Sequence, residues 1–138
     1  MIREIVKDEE VLTQKSERFE IGKDDYLIQD MLDTANEHKD MCAGLACIQI
    51  GVPKRVILVK DLDKFVPIIN PTIIKKGKDT FVATERCLSL EGERQVKRYK
   101  KIKLAYTTQD GKMHIQDFSG WTAQVIQHEC DHLNGILI

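Results

Sequence analysis

The residues best able to do chemistry stand together near the end of the chain, as His128-Glu129-Cys130-Asp131-His132. On a helix, positions i and i+4 share a face, so both imidazoles can reach one divalent ion. Glu129 follows His128 by about 100° round the helix axis, where a long carboxylate still leans toward a water on that ion. This is the donor set of a helix-borne metallohydrolase, provided a third ligand comes from elsewhere. Two histidines at this spacing can arise by chance, so the rest of the sequence must supply that ligand and a substrate site.

Few residues are free for the task. His38 sits among polar neighbours on a predicted helix and His114 lies beside Lys112 on a predicted strand, so both read as solvated. Cys130 falls between the two histidines in sequence but about 100–200° away from them round the helix, which points it to the core. Cys87 is the better candidate. It lies in Glu85-Arg86-Cys87-Leu88-Ser89, framed by polar residues, whereas structural cysteines usually sit within apolar runs. A His2Cys set leaves a fourth position open, which is a catalytic rather than a structural pattern. Its thiolate favours Fe(II), Zn, Co or Ni over Mg or Ca. Asp131 is expected behind the ligands or bonded to nearby backbone.

The elements that must hold these groups can be read from periodicity. Asp24 or Asp25 could cap a helix running to about Lys39, with Leu27, Ile28, Met31, Leu32 and Ala35 as its buried stripe. The 23 residues before it read as irregular or extended. Gly44 to Gln49 is a tight apolar segment, followed by a turn at Gly51-Val52-Pro53. Strands are predicted over Val56–Val59, Val66–Ile69 and Thr72–Lys75, with a loop at Asp61–Lys64 and a break at Asn70-Pro71. Thr80–Leu90 is mixed. Gln95–Thr108 gives the clearest long strand, turned at Asp110-Gly111 and returned over Met113–Phe118. Trp121, Val125, Ile126 and Leu133 share a helical sector that stops at Asn134-Gly135. The reading is an α+β domain, short and largely antiparallel strands around a C-terminal helix that carries the chemistry.

Composition narrows the function. The 138 residues fit one domain spanning 1–138, and 42% hydrophobic with 31% charged residues is ordinary for a soluble protein. Twenty-one basic against 22 acidic residues give a net charge of -1, which makes no case for nucleic acid or a membrane surface. The basic stretch Arg94–Lys103 alternates with apolar residues, as a strand with one wet face does. No apolar run resembles a signal peptide or a membrane span. The four cysteines form no CxxC arrangement and are expected as free thiols in the cytoplasm.

Three stretches together resemble the peptide deformylase family: Gly44-Leu45-Ala46-Cys47-Ile48-Gln49, Glu85-Arg86-Cys87-Leu88-Ser89 and Gln127-His128-Glu129-Cys130-Asp131-His132-Leu133. The family's patterns are GxGLAAxQ, EGCLS and QHExDH, in that order and at similar spacing. The resemblance implies that Cys87, His128 and His132 bind Fe(II), replaceable by Zn, Ni or Co. It implies Glu129 as general base and acid, with the Gln49 amide and the Leu88 backbone N–H holding the oxyanion. Glu85 and Arg98 would pair behind the ligands. Gly44, Arg86, Arg94, Trp121 and Val125 would lie along the substrate, although Trp121 and Val125 could equally be core.

The implied activity is removal of the N-formyl group from the initiator methionine of new polypeptides, releasing formate, by a cytoplasmic monomer that meets its substrates at the ribosome. The alternative is a deformylase-like metal protein acting on another small amide, or with little activity. Several residues depart from the family pattern. Cys42 replaces its first glycine, Ala43 a branched residue, Cys47 its second alanine, Glu91 a proline and Arg86 the glycine of EGCLS. Arg86 is the largest of these changes, because it sets a cationic fork beside the peptide groove.

Overall fold

The computed structural model describes residues 1–138 and contains three helices and seven strands. In chain order these are α1 (Glu9–Leu12), α2 (Tyr26–Glu37), β1 (Gly44–Ala46), β2 (Val56–Asp61), β3 (Lys64–Lys76), β4 (Thr80–Glu85), β5 (Arg94–Tyr99), β6 (Lys101–Thr107), β7 (Met113–Ser119) and α3 (Gly120–Leu133). A single 3-10 turn, Cys47–Ile50, follows β1. Five strands form an antiparallel sheet in the order β1-β2-β3-β6-β7, and β4 pairs with β5 as a separate hairpin. This is the α+β architecture expected. No helix is long and apolar enough to cross a membrane.

β2 explains how the sheet is covered. Its first four residues, Val56 to Val59, are all buried, which a strand achieves only when both faces are packed. Val56 and Leu58 point to the cluster built on α2, with Leu27, Ile28, Met31 and Ala35. Ile57 and Val59 point the other way, to Ile102 and Leu104 of β6 and to Ala123, Ile126, Cys130 and Leu133 of α3. The helix α3 therefore lies across one face of the sheet and α2 across the other. Cys130 belongs to this core, as its position round the helix required.

Four boundaries differ from the sequence reading. Asp8 caps the short α1 by accepting from the N–H of Glu10 at 2.9 Å, within a stretch expected to be irregular. Asp25 stands at the N-cap of α2, but its carboxylate turns back to the N–H of Gly22, and the helix ends at Glu37. The two predicted strands around Asn70 are one, β3. Asn70 takes a left-handed conformation (φ 48°) and makes a bulge, while its amide bonds both backbone groups of Phe19. The long strand predicted over Gln95–Thr108 is broken at Lys100 into β5 and β6, which belong to different sheets. That break lets β5 leave the main sheet and bring Arg98 beneath α3.

Candidate metal centre

Cys87 lies between β4 and β5, and the two histidines lie on the buried face of α3. Gln127 docks the hairpin against this helix. Its amide accepts from the N–H of Tyr99 and donates to the Tyr99 carbonyl, both at 2.9 Å, as a neighbouring strand would. The Cys87 Sγ then stands 3.3 Å from His132 Nε2. The sulfur and one nitrogen from each histidine all lie within 4.8 Å of one another. Metal–sulfur and metal–nitrogen bonds of about 2.3 and 2.1 Å can close such a triangle on one ion with little movement.

The surroundings suit a cation. Burial disfavours charge on His128, but the Cys87 sulfur and the Glu85 carboxylate beside it prevail and raise its pKa to about 10. Neighbours that favour a proton on this ring favour a metal ion at the same place. The Nδ1 of His128 is already taken by Glu85 Oε1 at 2.8 Å, which fixes the ring and directs Nε2 inward. His132 is fully buried, and burial first, then the charge of His128, lowers its pKa to about 3. It is therefore the neutral imidazole that a ligand must be. The residues present fit a divalent transition metal.

Glu85 is the hub behind this set. It accepts from Arg98 Nε at 2.9 Å and Arg98 Nη2 at 2.7 Å, and from Gln124 Nε2 at 3.0 Å, besides its bond to His128. Burial would raise its pKa, but the bonds from His128 and Arg98 outweigh that and bring it down to about 2. Arg98 uses its third nitrogen, Nη1, on Asp131 at 2.6 Å, tying the hairpin to the helix a second time.

Glu129 faces the ligands from inside a cavity of about 550 Å³. It is only 4% exposed and its Oε1 has no hydrogen-bond partner, an arrangement that costs free energy unless a solvent or substrate group meets it. Burial raises its pKa to about 7, against the pull of His128. A carboxyl poised there can take a proton and return it at neutral pH. Opposite it, Gly44 has no room for a side chain. A Cβ built on Gly44 would come within 2.8 Å of Glu129 Oε2, the Leu58 carbonyl and Val125 Cγ1. Gln49 stands on the 3-10 turn with its carbonyl fixed by the N–H of Ala46 at 2.9 Å. Its Nε2 points into the centre, 3.3 Å from Cys87 Sγ and 3.2 Å from Ser89 Oγ.

The cavity brings together Gly44, Gln49, Glu85, Arg86, Cys87, Leu88, Trp121, Val125, His128 and Glu129 from among the residues singled out in the sequence. Trp121 is 63% exposed at its edge and is not core, whereas Val125 is buried in its wall. Arg94 is not brought to the cavity. Its Nη1 donates instead to the Glu91 carbonyl at 3.4 Å. His38 and His114 lie outside the centre. Sequence reasoning missed Gln124, which both lines the cavity and bonds Glu85; its place four residues before His128, on the same helix face, was the available signal. It also missed Ser89, the buried partner of Gln49.

Comparison with known proteins agrees with this geometry. The chain matches the sequence model of the family described as polypeptide deformylase over residues 2–138. It is 45% identical over 139 residues to a peptide deformylase of Clostridium beijerinckii, covering 100% of both chains. Its fold superimposes on an actinonin-bound class I type b peptide deformylase from Acinetobacter baumannii with a TM-score of 0.90, at 31% identity and covering 99% of this chain and 95% of that one. A Met-Ala-Ser-bound structure of the Acinetobacter enzyme gives the same TM-score of 0.90 at 29% identity, covering 99% of this chain and 97% of that one.

Proposed function

The chain belongs to the polypeptide deformylase family, a metal-dependent hydrolase of N-formyl groups on nascent peptides, and from that premise we propose which of its residues perform the reaction. Cys87, His128 and His132 hold the metal, Fe(II) in the cell, with Zn, Ni or Co as workable replacements. When bound, the ion supplies Lewis acidity toward water and toward the formyl carbonyl. The observation that carries this reading is one juxtaposition: three donor atoms within 4.8 Å, beside a buried glutamate with a free oxygen.

The protein's own groups divide the remaining work. Glu129 accepts a proton from the attacking water through its unpartnered Oε1, then delivers it to the leaving amine. Gln49 Nε2 turns one N–H from the sulfur toward the developing oxyanion, and the Leu88 backbone N–H is the second donor. Such donors are worth about 3–4 kcal/mol each where one has been removed. Gly44, Trp121 and Val125 form the wall on which the methionine side chain rests. Glu85, held by Arg98, keeps the His128 ring turned toward the metal. The substrates are formylmethionyl chains as they leave the ribosome, met in the cytoplasm by a monomeric, one-domain enzyme.

The test is purification under argon, measurement of bound metal, and formate release from formyl-Met-Ala-Ser by the wild type and by Glu129→Gln. The expected result is about one metal per chain in both proteins, with kcat in the variant lowered at least ~100-fold. Metal-loaded wild type that releases no formate from any formyl peptide would sink the reading.

A further inference from the structure

The outer lip of the cavity is built from side chains that the chemistry above leaves idle. Arg86 and Glu93 stand at the two ends of the loop between β4 and β5 that carries Cys87. Arg86 Nε and Nη2 both donate to the same oxygen of Glu93, Oε1, at 2.9 and 2.5 Å. A guanidinium has five N–H groups, so most of the fork stays free, and the Arg86 side chain is 79% exposed against 49% for Glu93. Across the opening, Lys60 Nζ donates to the Lys39 carbonyl at 3.0 Å, which anchors its ammonium beside the cavity without neutralising it. The lip thus sets three cations, Lys39, Lys60 and Arg86, against two anions, Asp40 and Glu93.

We propose that this lip selects substrates by charge, with the free N–H groups of Arg86 taking a carboxylate carried downstream of the formylmethionyl residue. The inference rests on the deformylase reading, because a peptide with its first side chain in the cavity must pass its next residues over this lip. A planar fork and a carboxylate match as paired hydrogen bonds, whereas a lysine ammonium would meet net positive charge. Glu93 competes for the same fork, so it tempers the preference. Because the pair is exposed, the effect is modest and sensitive to salt.

The experiment measures kcat and KM for four peptides. Three are C-terminally amidated formyl-Met-Ala-Asp, formyl-Met-Ala-Ser and formyl-Met-Ala-Lys; the fourth is formyl-Met-Ala-Ser with a free carboxylate. The proteins are the wild type, Arg86→Gln and Glu93→Gln, each checked for bound metal. In low salt the wild type should favour a carboxylate-bearing peptide over the lysine peptide by about 3- to 10-fold in kcat/KM, mostly through KM. Arg86→Gln should bring the ratio below about 2-fold, Glu93→Gln should increase it, and 0.5 M salt should shrink it. The amidated aspartate and free-acid serine peptides then tell a side-chain carboxylate from a terminal one. Equal kcat/KM for all four peptides in the wild type, or a preference indifferent to both substitutions, overturns the proposal. A protein that turns over none of the four overturns the deformylase reading and this proposal together.

Discussion

Glu85 and Arg86 are adjacent in the chain, and each is half of an arginine–glutamate pair, but the two pairs work in different media. The side chains of Glu85 and Arg98 are 5% and 4% exposed, and those of Arg86 and Glu93 are 79% and 49% exposed. The inner pair is further bonded by Asp131, Gln124 and His128, so every partner depends on the others. The outer pair stands by itself in water, two N–H groups of Arg86 on one oxygen of Glu93. Buried, an unmatched charge is so costly that the pair fixes a geometry; exposed, the same chemistry mainly sets a local potential. One step past the end of β4 thus divides a group that holds the centre from an exposed group at the lip of the cavity.

Removing the inner guanidinium should have the greatest effect on stability. Arg98→Leu leaves the Glu85 carboxylate buried with only His128 and Gln124, and should cost about 3–5 kcal/mol, read as a lowered urea midpoint. Acid should act on the same hub. Because the Glu85 pKa falls from 4.5 to about 2 on folding, its contribution is complete above pH 4.5 and is lost as pH drops toward 2. Glu85→Gln should therefore flatten the pH dependence of the midpoint across that window. Gln124→Leu removes one of four bonds to Glu85 and should cost about 1 kcal/mol. Arg86→Gln should change stability by less than about 1 kcal/mol. A loss of 3 kcal/mol there would erase the contrast between the two pairs.

The sequence was most legible where local spacing and chemistry coincide. The i, i+4 histidines, the apolar sector through Val125, Ile126 and Leu133, and the Asn134-Gly135 stop all belong to α3 and need no distant partner to be read. The run from Gln95 to Thr108 was misleading because β5 and β6 alternate in the same way; only tertiary packing says that Lys100 separates two sheets. The Asn70 bulge was hidden for a similar reason, since its left-handed backbone is held by Phe19, 51 residues away. Gln124 offered only one local mark, its place four residues before His128 on the same helix face. A glutamine on a helix reads as solvated until Glu85 arrives from the hairpin. Exposure at Trp121 ran against its size: burying large rings stabilises a core, but this one sits at the cavity edge instead.

Gly44 carries a lesson about what this pocket can become. Its bare α-carbon is hemmed in by a carboxylate oxygen, a main-chain carbonyl and a valine methyl at once, each 2.8 Å from where a methyl would sit. Two of these neighbours, the Leu58 carbonyl and Val125, cannot yield without disturbing the sheet or the helix. A small molecule that draws its hold from the main chain here would be reading the portion of the wall least free to drift, because a side chain gained at Gly44 would press on Glu129 as well.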